Sequence, residues 1–298
     1  MDPDSSNVYP GVRVIPFQLI KKLIVVRAFV NGQEGNFIVD TGSESLVLNA
    51  KYVSGRRNRD DQVRDFTGSG AAFWERSVRF GWDPERGRNY RAIVTSFGLL
   101  ERILDIPVMG YIGYNQLKHF EVIFDYPRKE LALIPVDRRG WRKCDLPFHS
   151  GAADTILLRS NGHLPYLIAT VDGRPLKLGI DSGSSLNLLR ADVLPEIEEY
   201  FEIEGLQRAA GFNGRITRSR WGWLWGLQLG DCVLPRMRFL VADLGDLNAT
   251  LPAPLDGVLG FEFLCENRVA VNYRVGQVYF WQRPTLLSEV EGSIAGNE

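Results

Sequence analysis

Two short segments of the chain read Asp-Thr-Gly-Ser and Asp-Ser-Gly-Ser, at Asp40-Thr41-Gly42-Ser43 and Asp181-Ser182-Gly183-Ser184. Each ends an apolar run, which sets a carboxylate at the end of an extended segment. The glycine permits close backbone approach and the hydroxyl bonds neighbouring backbone groups, so the four residues suit a tight turn. One Asp-Ser/Thr-Gly triplet alone is weak, because most are plain turns with a solvated carboxylate. Two at matching positions of a repeat carry more. Packing two like lobes about a pseudo-twofold axis brings the carboxylates together, where both cannot ionise cheaply, so they share a proton and titrate as a pair. One member is then a base and the other an acid at the same pH, which suits activation of a water against a carbonyl carbon.

The duplication extends beyond these turns. Residues 30–43, VNGQEGNFIVDTGS, align without a gap on residues 171–184, VDGRPLKLGIDSGS, at an offset of 141. Residues 108–126 align on 255–273 at an offset of 147, with Gly110/Gly257, Gly113/Gly260, Leu117/Leu264, Val122/Val269 and Tyr126/Tyr273 identical. Two lobes of one architecture account for both offsets.

The elements that must position the carboxylates are mostly extended. β-branched and aromatic runs predict strands at 23–30, 36–40, 121–126, 130–135, 166–171, 176–181, 268–273 and 277–281. Asn31-Gly32 and Asp172-Gly173 predict a hairpin turn in each copy. Helices are expected only at 116–120, 262–267 and the acidic stretch 194–204. The expectation is an all-β, bilobal protein: two duplicated β lobes with pseudo-twofold symmetry and a cleft between them. The N-terminal lobe would span 1–140 and the C-terminal lobe 141–298, with a linker near 137–153. Trp221, Trp223 and Trp225 alternate with a shared face continuing to Leu227 and Leu229. That face is read as core under the second lobe's sheet in preference to an aromatic wall for substrate. Gly222 and Gly226, on the opposite face, mark a close approach.

Composition excludes some functions. Lys+Arg 35 against Asp+Glu 36 gives a net charge of −1, which argues against nucleic acid or an anionic membrane surface as the main partner. No apolar stretch is long enough to span a bilayer. Cys144, Cys232 and Cys265 form no CxxC pair, so neither a structural zinc site nor a disulfide framework is expected, and they are read as small buried residues. His119, His149 and His163 stand apart from any nucleophile motif and are read as surface or core residues. Neither phosphate-binding nor dinucleotide-binding glycine patterns occur between a strand and a helix, so no metal and no cofactor are expected. The polar N-terminus implies a cytoplasmic location if the chain is complete and an extracytoplasmic one if a leader has been removed.

Taken together, IVDTGS with Tyr111-Ile112-Gly113, and GIDSGS with Val258-Leu259-Gly260, resemble the aspartic peptidases, the pepsin-like and retropepsin-like group in its bacterial-type two-lobed form. The resemblance implies a pepsin-like acid protease fold and an aspartic endopeptidase. Asp40 and Asp181 would be the catalytic pair. Thr41 and Ser182 would cross-brace the loops beneath it, and Gly42 and Gly183 would offer backbone N–H groups. Ser43 and Ser184 would bond the outer carboxylate oxygens, and Gly113 and Gly260 would pass under the active-site turns. The segment 64–76, with Phe66, Gly68, Gly70, Phe73 and Trp74, would fold over the cleft and contact substrate, although it lacks the tyrosine typical of pepsin flaps. Glu44 stands where a small residue is usual, and Met109 fills the slot of Asp256.

Having both Asp residues in one chain implies a monomer acting on a peptide or protein substrate without a cofactor. The alternative is a non-catalytic peptide- or protein-binding module of the same fold. A glycan hydrolase using the same two carboxylates gives no reason for paired Asp-Ser/Thr-Gly turns.

Overall fold

The computed structural model describes residues 11–53, 73–144, 154–210 and 216–282. Both predicted hairpins form. Asn31 and Gly32 have φ of 53° and 84°, and Asp172 and Gly173 of 49° and 74°, the double left-handed geometry that matches strand twist. Each hairpin joins two strands, Leu23–Val30 to Gln33–Val39 and Tyr166–Val171 to Arg174–Ile180.

The hairpins open the same run of six strands twice, flanked by Gln18–Ile20 in the first half and by Leu227–Leu229, Cys232–Val233 and Phe201–Ala210 in the second. In the first half the strand order is Leu23–Val30, Gln33–Val39, Gly110–Ile112, Val47–Asn49, Arg88–Thr95, Trp74–Gly81. In the second it is Tyr166–Val171, Arg174–Ile180, Gly257–Leu259, Asn187–Arg190, Met237–Ala242, Ile216–Leu224. The architecture is therefore bilobal and mainly β, with matching strands in matching places. In each lobe the strand before the Asp turn runs parallel to a three-residue strand from the far end of the lobe, Phe37↔Gly110 in one and Leu178↔Gly257 in the other.

A third sheet belongs to both halves. Its order is Arg13–Pro16, Glu130–Pro135, Phe120–Asp125, Asn267–Asn272, Gln277–Gln282, Asp154–Leu157. The order is palindromic under the sequence repeat, because the outer strands are offset by 141 and the inner two pairs by 147. Its centre is the antiparallel pair Phe120–Asp125 with Asn267–Asn272, where Ile123 lies opposite Ala270. Ile123 and Ala270 are fully buried, as are Phe124, Val122 and Val269 beside them.

Short helices cover the lobe sheets at equivalent places. Phe97 and Leu104, flanking and ending the helix Gly98–Leu104, pack on Val25, Ile38, Val47 and Tyr111. The helix Gly245–Asn248 lies near Leu164, Leu251 and Leu255 in the second lobe. Neither helix is expected from the sequence. The two expected at 116–120 and 262–267 form shorter and nearer the N-terminus, at Tyr114–Leu117 and Phe261–Leu264, because Phe120 and Asn267 already belong to strands.

Three readings of the sequence are corrected. The acidic stretch 194–204 is two short 3-10 turns, Leu194–Glu196 and Glu198–Tyr200, followed by the strand Phe201–Ala210. Pairing with Ile216–Leu224 captures that segment as an edge strand, and tertiary pairing overrides helix propensity. The tryptophan face also does not form core. Leu224 is buried, whereas Trp221 and Trp223 are half-exposed on the other face, and Trp225 is exposed. Arg238 stacks over Trp221 at 4.2 Å and Arg236 over Trp223 at 4.8 Å. Gly226, at φ +71°, ends the strand's alternation before Leu227 and Leu229, which are buried in a separate strand, Leu227–Leu229. Gly222 does mark a close approach: a Cβ there would stand 2.1 Å from the carbonyl oxygen of Glu202. The three cysteines are of intermediate exposure and pack at the margin of the core instead of inside it.

Candidate active site

Asp40 and Asp181 leave their strands at equivalent points. The Asp40 N–H donates to the Ile112 carbonyl at 3.0 Å and the Asp181 N–H to the Leu259 carbonyl at 2.9 Å. Each turn then closes on its own aspartate, Ser43 N–H on Asp40 O and Ser184 N–H on Asp181 O, both at 3.2 Å. Gly113 and Gly260 carry the chain directly against these turns. A Cβ at Gly113 would lie 2.4 Å from the Ser43 carbonyl oxygen, and one at Gly260 2.3 Å from that of Leu186. Only glycine allows that passage.

The two turns are tied to each other by Thr41 and Ser182. The Thr41 hydroxyl donates to the Ile180 carbonyl at 2.9 Å and accepts the Ser182 N–H at 2.9 Å. The Ser182 hydroxyl donates to the Val39 carbonyl at 2.8 Å and accepts the Thr41 N–H at 3.2 Å. Both side chains are buried, so each bond forms away from water. Replacing Thr41 with Val keeps the volume but orphans a buried N–H and a buried carbonyl. We expect a loss of about 1–3 kcal/mol in urea unfolding. A larger loss of turnover should accompany it, because the carboxylates depend on this spacing.

Above the brace the carboxylates meet. The Gly42 N–H is shared between Asp40 Oδ1 at 3.0 Å and Asp181 Oδ1 at 3.1 Å. Ser43 N–H adds a bond to Asp40 Oδ1 at 3.1 Å, and Gly183 N–H one to Asp181 Oδ1 at 2.8 Å. A Cβ at Gly183 would fall 2.4 Å from Asp40 Cγ, and one at Gly42 2.6 Å from Asp181 Oδ2. Gly183→Ala should therefore separate the pair. The expected result is a fall in turnover of 100-fold or more, on the order expected when a reacting group is displaced by about 1 Å.

Burial raises the Asp40 carboxyl well above the ordinary range, and the neighbouring Asp181 charge and their mutual hydrogen bond add to this. Burial also raises Asp181, against the pull of the Gly183 N–H and of the Asp40 hydrogen bond. The pair therefore keeps one proton beyond the pH at which a solvated carboxyl would lose it.

The remaining expected residues fall as follows. The Ser43 and Ser184 hydroxyls do not bond the outer carboxylate oxygens as anticipated. They donate to the carbonyls two residues on, Ser43 to Ser45 at 3.1 Å and Ser184 to Leu186 at 2.7 Å. A local bond of this kind closes the turn on itself and competes with any longer reach. Glu44 is exposed. Met109 is buried against Gly35, whereas its counterpart Asp256 accepts the Lys177 N–H and pairs with Arg190 at 3.2 Å. Phe66, Gly68 and Gly70 lie outside the described residues. Phe73 is buried, and Trp74 begins the strand Trp74–Gly81 and packs on the core.

Some neighbours of the pair were not singled out in the sequence. The Asp40 and Asp181 charges both act on Tyr111 and Tyr273, and Asp181 acts on Tyr126. Burial raises all three phenols, which keeps them neutral. The signal for Tyr126 and Tyr273 was present, because they coincide in the repeat. The Asp181 and Glu44 charges also act on His163, read as an isolated histidine, whose imidazole pKa burial lowers.

The family model for aspartyl proteases matches residues 167–263, which hold Asp181, Ser182, Gly183, Ser184 and Gly260. Over that third of its length the chain is similar to the aspartyl proteases. No curated protein sequence matches it. Among solved structures, basic 7S globulin from soybean is similar at 11% identity and a TM-score of 0.48, over 91% of this chain and 94% of that one. Among the described residues, no three His, Cys, Asp or Glu side chains gather to hold a metal ion. No described helix is long and apolar enough to cross a membrane.

Proposed function

We propose that the chain is an aspartic endopeptidase, with Asp40 and Asp181 as its catalytic residues. The observation that carries this reading is the single N–H of Gly42 bridging the two carboxylates, whose burial favours one retained proton on the pair. The ionised member takes a proton from a water as that water's oxygen attacks the peptide carbonyl carbon. The protonated member gives its proton to the carbonyl oxygen, so the tetrahedral intermediate is a neutral gem-diol. When the C–N bond breaks, the nitrogen leaves with a proton, a hydroxyl proton returns to the pair, and a carboxylic acid and an amine result. The backbone N–H groups of Gly42, Ser43 and Gly183 fix both carboxylates before substrate arrives, which lowers the reorganisation needed in the reaction. The substrate is a peptide or protein segment held extended between the lobes by main-chain pairing. One chain supplies both carboxylates, so a monomer is the active form.

The test is cleavage of a diverse peptide mixture from about pH 3 to pH 8, a window bracketing a raised carboxylate pair, with products read by mass spectrometry. Cleavage that disappears with Asp40→Asn or Asp181→Asn supports the reading. Peptide binding without cleavage at any pH would instead identify a binding module. Cleavage equal in all three proteins would overturn the role of the pair.

A further inference from the structure

We propose that a cavity beside the Asp40 turn is a binding site for a small monocyclic aromatic carboxylate of the benzoate type. No residue of either Asp turn lines it. The site therefore stands whether or not the chain is a peptidase.

The cavity measures about 150 Å³ and lies at one end of the shared sheet. Its walls are Tyr114, the segment from Leu158 to Pro165, and the turn from Tyr273 to Gly276 that follows the strand Asn267–Asn272. A volume of that size takes one six-membered ring. Tyr114 joins it to the Asp40 turn, because the Tyr114 N–H donates to the Ser43 carbonyl at 2.8 Å.

The repeat shows what such a space holds. In the first half the ring of Phe17 stands edge-on to Tyr126, with centroids 5.6 Å apart and planes at 74°. Phe261 also meets Tyr126 edge-on, at 5.7 Å and 77°. At the 147-residue offset Tyr273 replaces Tyr126 and Tyr114 replaces Phe261, and these two meet edge-on at 5.3 Å and 87°. The third member differs, because Leu158 stands where the 141-residue offset puts Phe17. The backbone supports this correspondence: Phe17 N–H donates to the Lys129 carbonyl at 2.9 Å, and Leu158 N–H to that of Gly276, the counterpart of Lys129, at 2.8 Å. Around the same place Leu19, Lys21 and Lys129 give way to Ser160, Gly162 and Gly276, and each of these changes removes side-chain volume. One lobe completes the aromatic cluster with its own phenyl ring. The other leaves it open to a ring from outside.

One lining change runs the other way. Arg274 takes the place of Pro127 and brings a guanidinium to the cavity. Its Nε donates to the Lys118 carbonyl at 3.1 Å and its Nη2 contacts His119 Nδ1 at 3.2 Å, so the group is held in place. Among the described residues no carboxylate pairs with it. A ring set edge-on to the tyrosines with a carboxylate on Arg274 satisfies both features.

The test is titration of the ¹⁵N-labelled full chain with sodium benzoate, following the backbone amides of Tyr114 and Val275. Saturable shifts are expected with a Kd of about 1 mM, the range open to so small a ligand. Leu158→Phe installs the ring of the other lobe and should weaken benzoate by about tenfold or more. Arg274→Gln should weaken benzoate by about tenfold and leave the binding of uncharged benzamide unchanged. Arg274 is exposed, so its variant tests the site even if Leu158→Phe fails to fold. Unmoved Tyr114 and Val275 amides, or benzoate binding equally to wild type and folded Leu158→Phe, would overturn the site. Equal affinity for benzoate and benzamide would overturn its preference for an anion.

Discussion

Asp40→Asn and Asp181→Asn should each reduce kcat by about 10⁴-fold, with little change in KM. Residues that act as one unit lose nearly the whole effect when either is removed. Asparagine still accepts the Gly42 N–H, so each turn should keep its geometry and peptide binding should survive. Single-turnover kinetics on the best peptide of the mixture would read the loss. Stability should move the other way. Both carboxyls are raised on folding by burial, and Asp40 also by the charge beside it. Below the unfolded carboxyl range both states are protonated and the pair contributes nothing. As pH rises through that range the unfolded chain ionises more readily than the folded one, and stability is lost toward neutrality. Asparagine cannot ionise, so either variant should gain on the order of 1 kcal/mol over wild type near pH 7. The gain should vanish near pH 3, with urea unfolding as the measurement. A variant that loses both activity and neutral-pH stability would point to a damaged fold.

Arg142→Ala should lower stability by about 3–5 kcal/mol, with a fall in Tm of roughly 5–10 °C. Glu121 lies in the shared sheet with only 1% of its side chain exposed, and Arg142 binds it through two bonds, Nε to Oε2 at 3.1 Å and Nη2 to Oε1 at 2.8 Å. Asn272, directly across the sheet, adds a bond to Oε2 at 3.1 Å and another to the Gly140 carbonyl at 3.0 Å. Without the guanidinium a nearly inaccessible carboxylate loses its compensating charge, which costs more than the ion pair itself contributes. Replacing Arg142 and Glu121 together with leucine should recover most of the loss. A double variant as unstable as the single one would show that packing, not charge, dominates here.

Much of this was legible in the chain. The strands Leu23–Val30, Glu130–Pro135 and Tyr166–Val171 have the bounds their apolar runs suggest, because each is bordered by a turn residue that sterics enforce. The Asp turns and the Gly113 and Gly260 crossings were marked by the repeat. What stayed hidden depends on neighbours far away in sequence. The edge strand Phe201–Ala210 has Ile203 and Leu206 exposed, so no buried face imposes an alternation on its residues. The tryptophans could not be placed without knowing that Gly226 adopts a left-handed conformation. The clasp of Asn161 on the Ala253 backbone gives no local signal either, since its partner lies some ninety residues later.

The central seam, where Ile123 faces Ala270, has a further meaning. Those residues are each other's counterparts under the 147-residue repeat, so the local twofold axis runs between them. A single half-chain could cap its own open edge with a second copy, setting Ile123 against Ile123 in the same register and Asp40 against Asp40. The chain carries a homodimer's interface covalently inside one molecule. Once the copies were fused they no longer had to remain identical, and the surroundings of the two carboxylates could diverge. Glu44 after one Asp turn and Ser185 after the other are the mark of that freedom.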